Sequence, residues 1–205
     1  MKIICVGMNY ATHNKEMQNA LIRKEPTIFM KPDVSLLKDG KPFYIPDFSS
    51  DMQYETEIVV RINRLGKNIA RRFAHRYFDE ITVGLDMTAR DRQRELTANG
   101  LPWELSKAFD NSAIIGNFVC LETEKWEFNR LAFSLNINGK TVQKGNTADM
   151  LFKIDEIIEF VSRFVTLKIG DLIYTGTPAG VGNVSINDHL QGFIGDKKLL
   201  DFYVK

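Results

Sequence analysis

The chain has 205 residues, 44% of them hydrophobic, which is enough apolar mass for a substantial core. Its 27 basic and 26 acidic side chains leave a formal charge of +1, so no long-range field draws it to nucleic acid or to a membrane surface. No apolar run approaches the ~20 residues of a membrane span, and the opening Met1-Lys2-Ile3-Ile4-Cys5-Val6-Gly7 is too short for a signal peptide. Cys5 and Cys120 lie outside any redox or metal spacing, so a reducing, cytoplasmic setting is the expectation.

In chain order, Ile3 to Val6 reads as a strand, and Tyr10 to Arg23 as a helix with Ala11, Met17, Leu21 and Ile22 on its apolar side. Glu25-Pro26 ends that helix, Thr27 to Met30 is a strand, and Asp39-Gly40-Lys41-Pro42 is a turn. Met52 to Ile62 is the strongest strand of the first half, followed by Ile81 to Met87. Ala108 to Cys120 and Leu131 to Ile137 continue the β content, and Asn138-Gly139 signals a hairpin. Asp155 to Phe164 is an amphipathic helix with Ile157, Ile158, Phe160, Val161 and Phe164 facing inward. Asp171 to Tyr174 is a strand entering the loop Thr175-Gly176-Thr177-Pro178-Ala179-Gly180-Val181-Gly182. The expected fold class is α+β and β-rich, a single domain over residues 1–205, with polar motifs at strand ends where a rigid sheet can position them.

Glu55 and Glu57 carry the most chemistry. In an extended segment they share a face, with Thr56 turned away, and two carboxylates on one pleat repel. Such a pair is most often a solvated face. Here Ile58-Val59-Val60 runs it toward a core, and Asp86 ends a second apolar run. Three carboxylates without a cysteine or histidine cluster suit a hard divalent ion such as magnesium, manganese or calcium.

Four further segments bear on the reading. His13 and Glu16 are three apart at a helix start, which on its own is more often a surface pair, but the carboxylate can also hold one imidazole nitrogen and leave the other to take a proton from water. Arg90, read as one helical turn beyond Asp86, offers a planar fork for a substrate carboxylate, with Gln93 beside it. Lys107, bracketed by Trp103, Leu105 and Phe109, suits either a partly desolvated ammonium near an oxyanion or an ordinary snorkelling side chain. The Thr177 loop offers backbone N–H groups and a hydroxyl.

Together these motifs resemble the fumarylacetoacetate hydrolase family, closest to its short branch of acylpyruvate hydrolases and oxaloacetate decarboxylases. The resemblance runs through G-x-N-Y-x-x-H-x-x-E at Gly7, Phe29-Met30-Lys31-Pro32 and Glu55-Thr56-Glu57. It continues through L-D-M-T-A-R-D-x-Q at Leu85, G-L-P-W-x-x-x-K-x-F-D at Gly100, Gln143-Lys144-Gly145-Asn146-Thr147, and Gly170 to Gly182. It implies a mixed β-roll or β-sandwich, commonly a homodimer, without the separate N-terminal domain of the long members. It implies a magnesium or manganese ion on Glu55, Glu57 and Asp86. Arg90, Gln93, Lys107 and Thr177 would contact substrate with Lys31 beside the site, and His13 and Glu16 would activate water from a lid over roughly residues 8–25. The implied activity is metal-dependent cleavage of a C–C bond in small 2-oxo acids, by acylpyruvate hydrolysis or oxaloacetate decarboxylation through a metal-stabilised enolate. The alternatives are an isomerase or decarboxylase of longer dicarboxylates from aromatic-ring breakdown, with Arg23 or Arg92 as a second carboxylate partner, and a non-catalytic binder of ions or small acids. Two departures stand out: Asn187-Asp188 replaces a G-D, and the ligand set has three carboxylates where long members use a fourth. Outside that alternative, no role follows for Arg92, Arg94 or His189.

Overall fold

A computed structural model of the chain describes residues 1–16 and 24–205. Its largest sheet has eight strands. Seven run in the spatial order Thr27–Lys31, Ile3–Gly7, Leu172–Tyr174, Thr56–Ile62, Phe78–Asp86, Ala113–Ile115 and Leu36–Leu37, with Val119–Cys120 paired to Phe78–Asp86 off that path. The pairing of Ile3–Gly7 with Leu172–Tyr174 is parallel, while Thr56–Ile62 and Phe78–Asp86 form an antiparallel ladder. Both faces of this sheet are covered, which explains why its strands read as near-continuous apolar runs. Ile4, Val6, Ile58, Val60 and Ile62 belong to the main core, whereas Ile3, Cys5, Val59 and Tyr174 form a smaller cluster on the other face.

A second, antiparallel sheet packs onto the main core, in the order Lys140–Asn146, Ala132–Ile137, His189–Ile194, Lys197–Tyr203. The Asn138-Gly139 turn closes its first hairpin with φ of 52° and 78°, the left-handed pair that a tight two-residue loop requires. Helix Ile154–Phe164 buries Ile157, Ile158 and Val161, and the Lys153 N–H donates to Glu156 at its start. Phe164, read as inward, is 68% exposed, because it follows Val161 by three and the helix ends there, past the edge of the core.

The expected strand over Met52 to Ile62 is divided. Met52–Tyr54 joins a three-stranded sheet with Gly182–Asn183 and Thr88–Ala89, and the chain crosses into the large sheet at Glu55. The neighbouring strand makes the same change: Phe78–Asp86 lies in the large sheet, and Thr88–Ala89 in the small one. Arg90 opens helix Arg90–Ala98, so Asp86 and Arg90 are separated by a strand end and not by a helical turn. The lid-like segment is described only over helix Ala11–Glu16; Met17, Leu21, Ile22 and Arg23 lie outside the described residues.

Gly84 sits opposite Glu57 in the ladder. A Cβ there would meet the Ile114 carbonyl oxygen at 2.7 Å and Val59 at 2.7 Å, so no side chain fits without moving backbone. Gly84→Ala is therefore expected to lower stability by about 1–3 kcal/mol, in line with overpacking of a close-packed interior, measured by urea denaturation.

Candidate metal centre and active site

Glu55, Glu57 and Asp86 meet because their two strands change sheets at the same level, held there by the Asp86 N–H donating to the Glu55 carbonyl at 2.9 Å. One oxygen from each lies within 4.8 Å of the others. They are 6%, 2% and 1% exposed, so the pair is not a solvated face. At such spacing each pair of negative charges repels by roughly 3–4 kcal/mol at an effective dielectric of about 20. The fold must offset that.

Three buried cations surround the cluster. The Lys107 ammonium donates to Glu55 Oε2 at 2.7 Å, Asp86 Oδ2 at 2.8 Å and Thr88 Oγ1 at 2.6 Å, which engages all three of its protons. Lys107 thus faces carboxylates. Arg90 donates through Nε to Gln53 at 2.8 Å, and through its two terminal nitrogens to Gln93 and Glu55, each at 2.5 Å. Lys31 lies 2.7 Å from Asp86 Oδ1 and donates to the carbonyl and hydroxyl of Ser112, both at 3.0 Å, and to the Lys107 carbonyl.

These contacts divide the carboxylates electrostatically. Burial alone would raise Glu55, but Lys107 and Arg90 outweigh it and hold the carboxyl well below its usual range. Burial, then the charges of Asp86 and Glu55, push Glu57 well above its usual range, against a hydrogen bond from the Gly176 N–H at 2.6 Å. Burial works against the charge on Lys107, and Asp86 and Glu55 more than restore it. A divalent cation fits this set. The donors are all oxygen, Glu57 gains from a positive neighbour, and Asp86 Oδ1 is buried without a hydrogen bond despite its ion pair with Lys31.

The Gly-rich loop forms the next wall. Gly176 has φ of +99°, and a Cβ on it would stand 2.7 Å from the Asn9 Cβ, so the close approach depends on glycine. Asn9 is fully buried and ties the N-terminal segment to this loop, donating to the Thr175 carbonyl at 2.8 Å and accepting from the Phe152 N–H at 2.7 Å. Beyond it, His13 Nδ1 lies 3.3 Å from Glu16 Oε2, and the Glu16 carboxylate also accepts from the Gly180 N–H at 3.2 Å. The short helix is thereby fastened across to the loop. The Thr177 hydroxyl donates to the Thr56 carbonyl at 2.9 Å, so its proton is committed and it can offer a ligand only a lone pair.

These groups open onto one cleft. Eight of the ten residues picked out in the sequence line it: His13, Glu55, Glu57, Asp86, Arg90, Gln93, Lys107 and Thr177. Lys31 does not; it lies behind Asp86, where it steadies the carboxylate. Glu16 stands one step back, holding His13. Val6, Met8, Phe29 and Trp103 supply an apolar wall, with the Trp103 indole N–H donating to Thr97 at 3.1 Å.

The Fumarylacetoacetate (FAA) hydrolase C-terminal family matches residues 2–203. The chain belongs to this family. It is 39% identical over 203 residues to the mitochondrial oxaloacetate tautomerase FAHD1 of Mus musculus, covering 99% of this chain and 91% of that one. It is 41% identical over 184 residues to the mitochondrial oxaloacetate decarboxylase of Dictyostelium discoideum, covering 89% of this chain and 84% of the relative. The crystal structure of fumarylpyruvate hydrolase from Pseudomonas aeruginosa, in complex with Mn2+ and pyruvate, superposes with a TM-score of 0.93 at 33% identity, covering 100% of this chain and 89% of that one.

Within this family frame, the departures are accommodated locally. Asn187 takes φ of 75°, the left-handed region that glycine favours and asparagine tolerates, and Asp188 accepts from the Ser185 N–H at 2.8 Å, so the turn survives without glycine. Arg92 pairs with Glu95 and Arg94 with Asp51, and neither lines the cleft. His189 stacks on Tyr203 at 4.3 Å and pairs with Asp201 at 2.6 Å, in the second sheet. No helix among the described residues is long and apolar enough to cross a membrane.

Two outcomes are expected. Removing one partner of a buried ion pair leaves an uncompensated charge, so Lys31→Met should destabilise the protein by about 3–5 kcal/mol in chemical denaturation. Glu57, with its raised folded-state value, contributes stability below its unfolded value, and that contribution is lost as pH rises through the folded one. A divalent cation must displace the same proton. The rise in Tm produced by MnCl2 should therefore grow from pH 6 to pH 8, and calorimetry in buffers of different ionisation enthalpy should detect proton release. A pH-independent Tm shift with no proton release would contradict this.

Proposed function

We propose that this protein is a divalent-metal-dependent enzyme acting on small 2-oxo acids. Its chemistry lies at the carbon beside the keto group: keto–enol interconversion and C–C cleavage of oxaloacetate- or acylpyruvate-type substrates. The observation that carries the reading is the buried Glu55–Glu57–Asp86 cluster at the floor of a cleft edged by Arg90, Gln93 and His13. The relatives' names support it, because tautomerisation, decarboxylation and hydrolysis of such acids share a substrate enolate. The family resemblance supports a homodimer as the working form.

Glu55, Glu57 and Asp86 would hold a divalent ion, which would supply Lewis acidity toward a substrate oxygen. Arg90 presents a guanidinium with three of its five N–H groups fixed by Gln53, Gln93 and Glu55, a rigid cationic wall for the substrate carboxylate. Glu16 holds His13 through Nδ1, which leaves Nε2 to take a proton from water in hydrolysis, or from the substrate carbon in tautomerisation. Decarboxylation needs no attacking water and leaves only the enolate to be reprotonated. Val6, Met8, Phe29 and Trp103 keep bulk water from the polar floor, which strengthens every charge interaction there.

The test is turnover of oxaloacetate, acetylpyruvate and fumarylpyruvate with Mg2+ or Mn2+. Loss of a positioned general base typically costs 10²- to 10⁴-fold, so His13→Ala should lower acylpyruvate hydrolysis by about that factor. Oxaloacetate decarboxylation should be affected less. Glu57→Ala should abolish both activities together with metal binding. Full hydrolysis in the His13 variant would remove the base from the reading, and metal-dependent turnover in the Glu57 variant would remove the metal site.

A further inference from the structure

The peptide between the two glutamates has an unusual support. Thr56 pairs with Leu85 on one side, but the strand on its other side, Leu172–Tyr174, reaches only as far as Val59. Past that point, no strand among the described residues lies on this second side of the Glu55–Thr56–Glu57 segment. The place is filled by Gln143, which comes from the second sheet and is 2% exposed.

Its amide closes a ring. The Thr56 N–H donates to Gln143 Oε1 at 3.0 Å; Gln143 Nε2 donates to Thr177 Oγ1 at 2.9 Å; the Thr177 hydroxyl donates to the Thr56 carbonyl at 2.9 Å. The amide cannot be turned over, because Nε2 also donates to the Pro178 carbonyl at 2.8 Å while Oε1 meets a backbone N–H. Every direction in the ring is therefore set by backbone groups whose roles are fixed. Two consequences follow. The Thr56 peptide is clamped on both its N–H and its carbonyl, so the spacing of the carboxylates on either side is clamped with it. The Thr177 hydroxyl is left with a lone pair and no proton for the cleft.

We propose that Gln143 is a positioning residue: it sets the spacing of Glu55 and Glu57 for a divalent cation and fixes Thr177 as an acceptor toward the ligand. This rests on the metal reading of the carboxylate cluster. It assigns Gln143 an action through other residues, with no contact to substrate. Partners of this kind, one step behind a metal's ligands, typically change metal affinity by about 10- to 100-fold when removed.

The experiment is Mn2+ binding by electron paramagnetic resonance on wild type and Gln143→Leu, with a melting curve on each metal-free protein and rates measured against Mn2+ concentration. The expected result is a Kd for Mn2+ raised by about 10- to 100-fold in a protein that still melts cooperatively, with kcat largely regained at saturating Mn2+. General structural damage would not be repaired by metal. An unchanged Kd in the folded variant overturns the proposal and leaves the metal reading standing. If wild type itself binds no Mn2+, the metal reading falls and this one with it. Should Gln143→Leu not fold, Thr177→Val opens the same ring from its other side without touching the second sheet. A wild-type Kd in that variant overturns the proposal, and a raised one supports it.

Discussion

The constraint on which the rest of the structure depends is the burial of three carboxylates within 4.8 Å of one another. Negative charges in a low-dielectric interior are tolerated only when paired or hydrogen-bonded. The surrounding architecture can be understood as the means of doing so. Two adjacent strands change sheets at the same level, at Glu55 and just beyond Asp86, and this brings both carboxylates beside Glu57, which is still paired with Gly84 in the ladder. Lys31, Lys107 and Arg90 are themselves buried beside them, and each is further tied to carbonyls, hydroxyls or amides. The Gly-rich loop then approaches closely enough for Gly176 to donate to Glu57, which the Asn9 contact permits only to a residue without a side chain.

The same arrangement divides the cleft into a polar floor and an apolar wall. Charge on the floor is rigid, since Arg90 and Lys107 are held by several partners each, and rigid charges need no reorganisation when charge develops on a substrate. Over this floor lies a short helix whose Glu16 accepts from Gly180, so the residue that holds His13 also fastens the helix to the loop carrying Thr177. One carboxylate thereby contacts both the imidazole and the loop.

Local patterns in the sequence located the central elements but not the C-terminal strands His189–Ile194 and Lys197–Tyr203. The Ile157-Ile158-Val161 spacing placed the second-half helix, Asn138-Gly139 placed the hairpin, and the apolar runs placed the strands. The resemblance placed eight of the residues that line the cleft. What local pattern could not show is sheet membership. Met52 to Ile62 contains no proline or glycine and reads as one strand, and only distant partners reveal that the chain changes sheets at Glu55. Lys31 was legible as near the site, but its direction, toward Asp86 from behind, depends on Ser112 some eighty residues away. Gln143 was the least legible. In Lys140-Thr141-Val142-Gln143-Lys144 the alternation suggests Val142 inward and Gln143 outward, whereas Gln143 is the buried one. It faces inward because the large sheet lacks a strand beside Thr56 and a polar side chain can replace the missing hydrogen bonds.

Compensation among the three carboxylates is uneven, and the unevenness fits a site that could bind a divalent cation. Asp86 meets both Lys31 and Lys107, and Glu55 meets both Lys107 and Arg90. Glu57 has the Gly176 N–H and, among the described residues, no ion pair, so burial and the charges of Asp86 and Glu55 push its carboxyl upward, while Lys107 and Arg90 hold that of Glu55 down. A cluster serving only stability would be expected to pair all three, or to replace them with apolar side chains, since well-packed hydrophobic residues are often at least as stable as buried ions. Leaving one acidic oxygen short of positive charge beside two that are satisfied costs the folded state. Such a cost is characteristic of sites arranged for a ligand. The missing charge is positive, the available donors are oxygens, and the position opens on the cleft: a hard divalent cation meets all three conditions.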